Sequence, residues 1–331
     1  MMILEISRFG FFKALQPDST HWIRWGSSLT ADEPQRPDAF GFSAVADIWR
    51  IRQKAYDLIV LPAMQPYHRF DEPPLKLVVK SVLQAGAQLR ACCALLSRLV
   101  GSSRHVIVDL GDNSRLCETT IRLFPRNALY FKRELDLDRI AETQVPDKVR
   151  PLPLFVPNEN RSSPQRKKDI DIFFAGSLCN WIRMEAVEAV RNLSERGFRV
   201  VIPSAHLPYA EFMAALARSW LVLSPEGYGW DCYRHYEACL AGSVPVINKP
   251  RYRRRLYLAD GVHCFYYDAD RDSLAERLLA LLADKGRLLR MAEAGRQHVL
   301  ANHTRSAVAR YILNEAFGGA VATGGAVATA S

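Results

Sequence analysis

The sequence predicts an α/β fold of parallel strands divided into two domains. Its 331 residues are long enough for two cores of roughly 150 residues each. Short apolar runs alternate with helix-length amphipathic stretches, the order that builds parallel sheets covered by helices. A proline-punctuated, basic stretch from Lys148 to Asp169 separates two such series, with Pro151, Pro153, Pro157 and Pro164 along it. The expected division is a first domain over 1–150, a linker over 151–169, a second domain over 170–317 and a disordered tail over 318–331.

In the first domain, Ile3–Ile6 reads as a strand and Ala44–Lys54 as a helix. Tyr56–Pro62 is a strongly apolar strand. Leu75–Val100 carries an apolar stripe at helical spacing through Leu75, Val78, Val79, Val82 and Leu83. Lys76, Lys80, Arg90 and Arg98 interrupt it, so a core-facing helix is favoured over a membrane-surface one, and no run reaches the roughly 18 apolar residues of a span. His105–Leu110 and Ala128–Phe131 are further strands, separated by the loop Gly111–Ser114. The opening MMILEISRFGFFKAL contains Glu5 and no small-residue cleavage site, and is read as a strand, not a signal peptide.

In the second domain, Asp171–Ser177 runs from strand into a small-residue turn, and Trp181–Arg196 follows as a helix. Phe198–Ile202 is a strand, Ser204–Leu207 a loop and Pro208–Arg218 a helix. Ser219–Ile247 then reads as strand, loop, helix, strand. Trp220–Leu223 is apolar enough to be buried on both faces, and Ser224–Gly229 is turn chemistry. A helix fits Asp231–Leu240 and stops at Ala241-Gly242, before the strand Val244–Ile247. His263–Tyr267 is a last strand and Asp272–Ala283 an amphipathic helix. A helical region from 285 to 317 is nicked at Gly295. The tail repeats GGAVAT and lacks bulky apolar residues to order it.

A strand–loop–helix–strand unit puts its loop and helix N-terminus at the carboxyl edge of a parallel sheet. Backbone N–H groups and the helix dipole there favour anions. Arg234 and Glu237 are three apart and share one helix face. Guanidinium suits a phosphate, and carboxylate suits a ribose diol. An Arg/Glu pair on a helix is by itself more often a surface ion pair, but this one follows a glycine-punctuated loop and precedes a buried strand.

The net charge of +9 points to anionic partners, whether nucleotide phosphates, a membrane surface or nucleic acid. The seven cysteines form no Cys-x-x-Cys pair and no zinc array, which suggests a reducing, cytoplasmic setting. Neither a dinucleotide-binding fingerprint nor a Walker loop is present. Interleaved basic and aromatic positions of nucleic-acid modules are also lacking, so no nucleic-acid partner is expected.

The segment PEGYGWDCYRHYEACLAGSVPVI, Pro225 to Ile247, resembles the donor-site signature of GT-B glycosyltransferases, with most similarity to the exostosin-like and spore-coat-protein-like branches. The spacing of Glu226 and Glu237 departs from that of the paired glutamates in the larger retaining GT-B group. DIFFAGS, with Arg183 after it, resembles the opening of the GT-B donor domain. The resemblance implies two Rossmann-like domains facing a cleft, with the helical region over 285–317 packing back across them, and transfer of a sugar from a nucleotide-sugar to a hydroxyl acceptor. It implies no cofactor and no bound metal, the nucleotide-sugar being a co-substrate. The acceptor would be glycan, lipid-linked or protein, in cell-surface glycan or glycoconjugate synthesis. A non-catalytic nucleotide-sugar-binding module is the alternative.

The donor-binding candidates are Gly176, Ser177, Arg183, His206, Tyr228, Arg234 and Glu237. Taken singly, Gly176 could be a plain turn, Arg183 a solvated helix residue and His206 a surface loop residue. For the general base, Asp112 is preferred; Asp109, His68 and Asp71 also qualify by position, and His21 is a weaker candidate. Asp109 and Asp112 could equally cap a following helix. The basic cluster Pro250–Arg255 could serve acceptor phosphates or an anionic membrane surface, leaving open a peripheral position at the inner face of the membrane.

Overall fold

The structure, a computed structural model, describes residues 1–7, 9–24, 56–63, 103–117, 120–121, 127–143, 145–157, 167–251, 255–269 and 274–318. The helices expected at 44–54 and 75–100, the candidates His68 and Asp71, and the tail from 319 lie outside the described residues. Among the described residues two parallel sheets are present, as the α/β class requires. The first contains β1 (Ile3–Ser7), β2 (Thr20–Arg24), β3 (Leu58–Pro62), β4 (Arg104–Asp109), β5 (Leu129–Lys132) and β6 (Val149–Pro151). Its order is β2-β1-β3-β4-β5-β6, parallel throughout.

Successive strand residues point to opposite faces, and both faces of this sheet are apolar. Ile3, Leu58, Val60, Val106, Val108 and Phe131 share one buried cluster; Leu4, Ile6, Ile59, Leu61, Ile107 and Tyr130 share the other. Each such side chain taken from water stabilises the fold by about 1.5–3 kcal/mol. The first cluster is closed by Phe11 and Phe12 of the short helix α1 (Phe11–Leu15). Glu5 makes α1 possible. Its fully buried carboxylate accepts from the backbone N–H of Phe11 at 2.7 Å, Phe12 at 2.9 Å and Lys13 at 3.1 Å. Burial raises its pKa, and the hydrogen bonds from Ser7 and these amides oppose the rise.

The second sheet has the order β11-β10-β9-β7-β8, again parallel. Its strands are β7 (Ile170–Phe173), β8 (Val200–Val201), β9 (Ser219–Leu223), β10 (Val244–Asn248) and β11 (Phe265–Tyr267). The helices between and after them are α2 (Trp181–Arg191), α3 (Tyr209–Arg218), α4 (Tyr233–Leu240), α5 (Leu274–Ala283), α6 (Lys285–Asn302) and α7 (Arg305–Phe317). One face of the sheet packs on α2, α5 and α6 through Val187, Val190, Leu278, Leu288 and Met291. The other packs on α3 and α4 through Met213, Leu216, Ala238 and Ala241. Lys168, expected in a solvated linker, turns inward and donates to Ala217 O at 3.1 Å and Ser219 O at 2.7 Å. Burial takes its pKa down to about 8.

Three boundaries differ from the sequence reading. The chain over 149–151 is an edge strand of the first sheet, with Leu152, Leu154, Phe155 and Val156 buried after it. The helix from Trp181 ends at Arg191, and a separate 3-10 turn over Ser194–Arg196 leads to Gly197 at φ 85. Gly295 does not break a helix: α6 runs through it and ends at Asn302. A side chain at Gly295 would put Cβ 2.9 Å from His263 O and 3.0 Å from Cys239 Sγ, so the glycine serves close packing.

The last helix returns to the first domain, as expected. Val308, Ala309, Ile312 and Leu313 of α7 belong to the core of the first sheet. At the turn before it, His303 O accepts from Val156 N at 2.7 Å. The His303 ring nitrogens lie 2.6 Å from Leu154 O and 2.7 Å from Leu256 O; burial takes the ring's pKa down to about 4, so the neutral ring donates to one of the two carbonyls. Among the described residues no helix is long and apolar enough to cross a membrane.

Gly295→Val is expected to lower unfolding stability by about 1–3 kcal/mol through overpacking. Urea unfolding of the variant beside wild type checks this; an unchanged midpoint would mean the α6–α4 contact yields without cost.

Candidate active site

The site is assembled where the carboxyl edges of the two sheets meet. On the second sheet, β9 feeds the loop 224–232 and then α4. His235, buried in α4, ties that loop together: its Nε2 lies 2.8 Å from Trp230 O and its Nδ1 2.7 Å from Ser224 Oγ. A proton on Nε2 meets the carbonyl and leaves Nδ1 to accept the hydroxyl. Trp230 Nε1 donates to Asn248 O at 2.8 Å, anchoring the loop to the end of β10.

Arg183 enters from α2. Asn180 caps that helix by accepting from Arg183 N at 2.9 Å, and its amide donates to Glu226 O at 3.1 Å and Gly227 O at 2.9 Å. The Arg183 guanidinium donates to Glu226 O at 2.8 Å and Ser177 O at 2.9 Å. Arg183 is thus buried and held by carbonyls, with its positive charge left unneutralised by them.

Arg234 lies beside it on α4, 8% exposed, its guanidinium 4.9 Å from the centre of the Phe174 ring. Its Nη1 is buried with no hydrogen-bond partner. Burial, and next the positive Arg183, lower its pKa to about 10. Cβ atoms at the neighbouring glycines would be too close: 2.6 Å from Arg234 Nη2 at Gly176 and 2.7 Å from Arg183 Nη2 at Gly227. Two buried cations with glycine walls and an open donor make a receptor for a multivalent anion. The N-terminus of α4 faces the same place and adds its dipole. Cys232, at the cap of α4, has its Sγ 3.8 Å from Arg183 Nη2. Burial raises this thiol's pKa against the lowering effect of Arg234, Arg183 and Arg133, so the site keeps its net positive charge.

Glu237 lies one turn along α4 and accepts from Tyr209 Oη at 3.2 Å. Burial raises its pKa to about 7, opposed by the Tyr209 hydrogen bond and by Arg234. It is therefore a buried acceptor that gains charge near neutral pH.

On the first sheet, Asp109 ends β4. Only 1% exposed, it accepts from Tyr130 Oη at 2.5 Å, Lys132 Nζ at 3.2 Å and Gly111 N at 2.8 Å. No helix follows directly for it to cap; it closes a turn and neutralises a buried lysine. Burial lowers the Lys132 pKa while Asp109 raises it. Asp112 is the exposed member of the pair, its side chain 56% accessible and ion-paired with Arg133. Its backbone O would lie 3.0 Å from a Cβ at Gly229, which places it against the loop before α4.

The remaining candidates disperse. Ser177 offers its carbonyl to Arg183. Tyr228 is 63% exposed on the loop, and His206 is exposed in the loop before α3. His21, expected in a loop, lies on β2 opposite Leu4, with Nδ1 2.9 Å from Tyr56 Oη. Tyr56 precedes β3, so His21 stands toward the amino edge of the sheet, the edge opposite to the site. Glu226 pairs with Asn248, whose Nδ2 donates to it at 2.6 Å. Of the basic cluster, Arg251 lies 3.7 Å from Glu226, and Arg255 stacks 4.7 Å from the centre of the Tyr311 ring; residues 252–254 are outside the described set.

Part of the second sheet's side of the site lies within a segment that matches a known family, while Phe174, Gly176, Ser177 and Asn180 precede it. Residues 182–314 match the family described as Glycosyl transferase-like. This glycosyl transferase-like segment contains Arg183, Arg234 and Glu237. Ribitol-5-phosphate xylosyltransferase 1 of Danio rerio is 54% identical over 37 residues, 11% of this chain and 8% of that protein. Sucrose-phosphate synthase of Thermosynechococcus elongatus aligns over 95% of this chain and 98% of its own, with a TM-score of 0.57 and 11% identity. HepE of Anabaena, solved in complex with UDP and glucose, aligns over 95% and 99%, with a TM-score of 0.53 and 14% identity. At these identities the likeness to solved structures is one of fold: the GT-B architecture.

Four contributors went unnoticed in the sequence: Tyr209, Asn180, Arg133 and Glu134. The last two belong to Lys132-Arg133-Glu134, a charged triplet that begins on the last residue of β5 at the carboxyl edge of the sheet. That position was the available signal.

Asp109→Asn is expected to destabilise the fold by about 3–5 kcal/mol, since Lys132 stays buried with its partner weakened. Asp112→Asn should shift stability by no more than about 1 kcal/mol, its carboxyl being exposed. Denaturant midpoints measured side by side separate the two. For Glu237, a carboxyl raised from 4.5 to about 7 binds more protons folded than unfolded between those values. Stability from this group is therefore present below pH 4.5 and lost as pH rises to about 7. Glu237→Gln should remove that part of the decline, as read from unfolding midpoints across the window.

Proposed function

We propose that this protein is a glycosyltransferase that moves a sugar from a nucleoside diphosphate sugar to a hydroxyl acceptor. The observation that carries this reading is the unpartnered, buried Nη1 of Arg234 beside the Arg183 guanidinium. Buried polar groups are ordinarily satisfied, and like charges ordinarily avoid each other, so a site that breaks both rules is built for an absent anion. A diphosphate supplies the several acceptor oxygens that two guanidiniums and a helix N-terminus call for.

In the transfer, the bond between the anomeric carbon and the diphosphate oxygen breaks, and the acceptor oxygen bonds to that carbon. The nucleoside diphosphate leaves with the electron pair, and Arg183, Arg234 and the α4 N-terminus stabilise the charge developing on its oxygen. The acceptor proton passes to a base at the carboxyl end of the first sheet. We assign that role to Asp112, the exposed carboxylate whose backbone lies against the loop before α4. Glu237 is assigned to the ribose hydroxyls. Gly176 and Gly227 let the chain close around the phosphates.

The Anabaena protein of like fold was solved with UDP, which makes uridine diphosphate sugars the first donors to test. We place the reaction in the cytoplasm, on the free thiols Cys117, Cys179, Cys232, Cys239 and Cys264 among the described residues. A glycan or glycoconjugate hydroxyl is the acceptor class this reading requires.

Titration calorimetry with UDP tests the clamp directly. Arg234→Ala should weaken UDP binding, and with a transferring donor it should lose on the order of 2–4 kcal/mol of transition-state stabilisation while remaining folded. Wild-type affinity and kinetics in the folded variant would remove Arg234 from the site. A UDP-sugar phosphodiester does not titrate near neutrality, so the ligand adds no pH dependence of its own there. Binding should tighten as pH rises through about 7 and the carboxylate forms, and Glu237→Gln should flatten that profile.

A further inference from the structure

We propose that Arg133 and Glu134 form a two-pronged latch on the peptide groups of Asp231, and that this latch positions the donor site against Asp112 for transfer. The inference rests on the glycosyltransferase reading and adds to it two positioning residues from the first domain.

Arg133 and Glu134 follow β5 directly, while Asp231 precedes α4 on the other sheet. Arg133 Nη1 donates to Asp231 O at 2.6 Å, and Asp231 N donates to Glu134 Oε1 at 2.7 Å. Consecutive side chains of one domain thus take both backbone polar groups of one residue in the other. Arg133, Glu134 and Asp231 are 4%, 2% and 6% exposed, so water does not compete for these bonds.

The latch is fixed at both ends. Arg133 Nε donates to Leu110 O at 3.1 Å, its backbone N–H donates to Asp109 O at 2.9 Å, and its guanidinium pairs with Asp112. Asp231 Oδ1 accepts from Tyr236 Oη at 2.7 Å, joining the gripped residue to the body of α4. One guanidinium therefore touches both the assigned base and the loop that begins the phosphate-binding helix.

Two further features are hard to account for without a role for this contact. Glu134 has φ 58, a left-handed backbone at a residue that is not glycine, with a cost of order 1–3 kcal/mol. Opposite it, a Cβ at Gly229 would lie 2.5 Å from Glu134 Oε1, so only glycine admits the carboxylate. A strained residue on one domain and a matching void on the other are a fitted pair. Arg183, Arg234 and Glu237 all belong to the second domain, so the latch is not needed to bind nucleotide. It is needed to fix the distance between the donor and Asp112, where a displacement of about 1 Å can cost on the order of 10²-fold in rate.

The test uses the full chain with Glu134→Gly, which removes the carboxylate and also relieves the left-handed backbone, so that loss of folding does not obscure the result. Hydrogen exchange of the Asp231 amide and kcat for the donor are read together, with UDP affinity by calorimetry. The expected result is loss of Asp231 protection, a fall in kcat on the order of 10²-fold, and a UDP Kd within about twofold of wild type. Glu134→Gln, which keeps an acceptor oxygen for the amide, should restore protection and bring kcat back to within a few-fold. Full kcat in folded Glu134→Gly overturns the latch, as does a matching loss of UDP affinity, which would make Glu134 part of the donor site. Wild type that binds no nucleotide would refute the glycosyltransferase reading, while the exchange measurement still decides whether the grip on Asp231 exists.

Discussion

Two guanidinium groups share one buried pocket, and much of the second domain is arranged to keep them there. In a poorly solvated environment like charges repel strongly, and each loses hydration that a carboxylate would normally replace. Here the replacement comes from main-chain carbonyls of Ser177 and Glu226 and from the face of Phe174. Dipoles and a π face satisfy cations without cancelling their charge, so the field of the site survives for a ligand. Gly176 and Gly227 follow from the same demand, because a Cβ at either would displace a guanidinium. So does Asn180, which caps α2 and ties it to the very loop whose carbonyl holds Arg183.

Two like charges held together out of water carry unfavourable free energy. A bound diphosphate would relieve it, so ligand binding and stability are coupled. Glu237 adds a second layer. Its carboxyl sits close enough to Arg234 to be favoured by it, yet burial keeps it protonated up to about pH 7. Charge in the pocket is therefore graded, with fixed cations and a titratable acceptor one helical turn away.

The first domain contributes a rigid edge. Asp109 and Lys132 are both buried and neutralise each other, which holds the ends of β4 and β5 in register. Arg133 and Glu134 leave that edge toward α4. The last helix, α7, packs on the first sheet although it follows the second in the chain, and His303 fastens the crossing. Contacts at the carboxyl edges and at this crossing link the domains at separate places, the arrangement in which side-chain contacts can govern how the two halves meet.

Much of the fold was legible in the chain because its signals are local. Buried parallel strands such as β3, β4, β9 and β10 are continuous apolar runs, and glycine, proline and asparagine mark where they turn. The shared helix face of Arg234 and Glu237 follows from their spacing behind a glycine loop, and the turn at Gly176 from the strand before it. Boundaries that depend on packing were less legible: Gly295 reads locally as a helix breaker, yet a close helix contact requires it in mid-helix.

The sequence by itself determined the α/β class, the parallel strands, the loop after β9 and the helix face that carries Arg234 and Glu237. Periodicity, turn chemistry and charge placement are properties of neighbours along the chain, and each was sufficient for its own element. Tertiary structure alone decided that Asp109 is a buried partner of Lys132 while Asp112, three residues on, stays accessible. It alone put His21 toward the far edge of the sheet and brought Arg133 and Glu134 onto Asp231. Burial and long-range pairing set those roles, because an acid's chemistry depends on which dielectric and which partners surround it, and those come from residues distant in sequence.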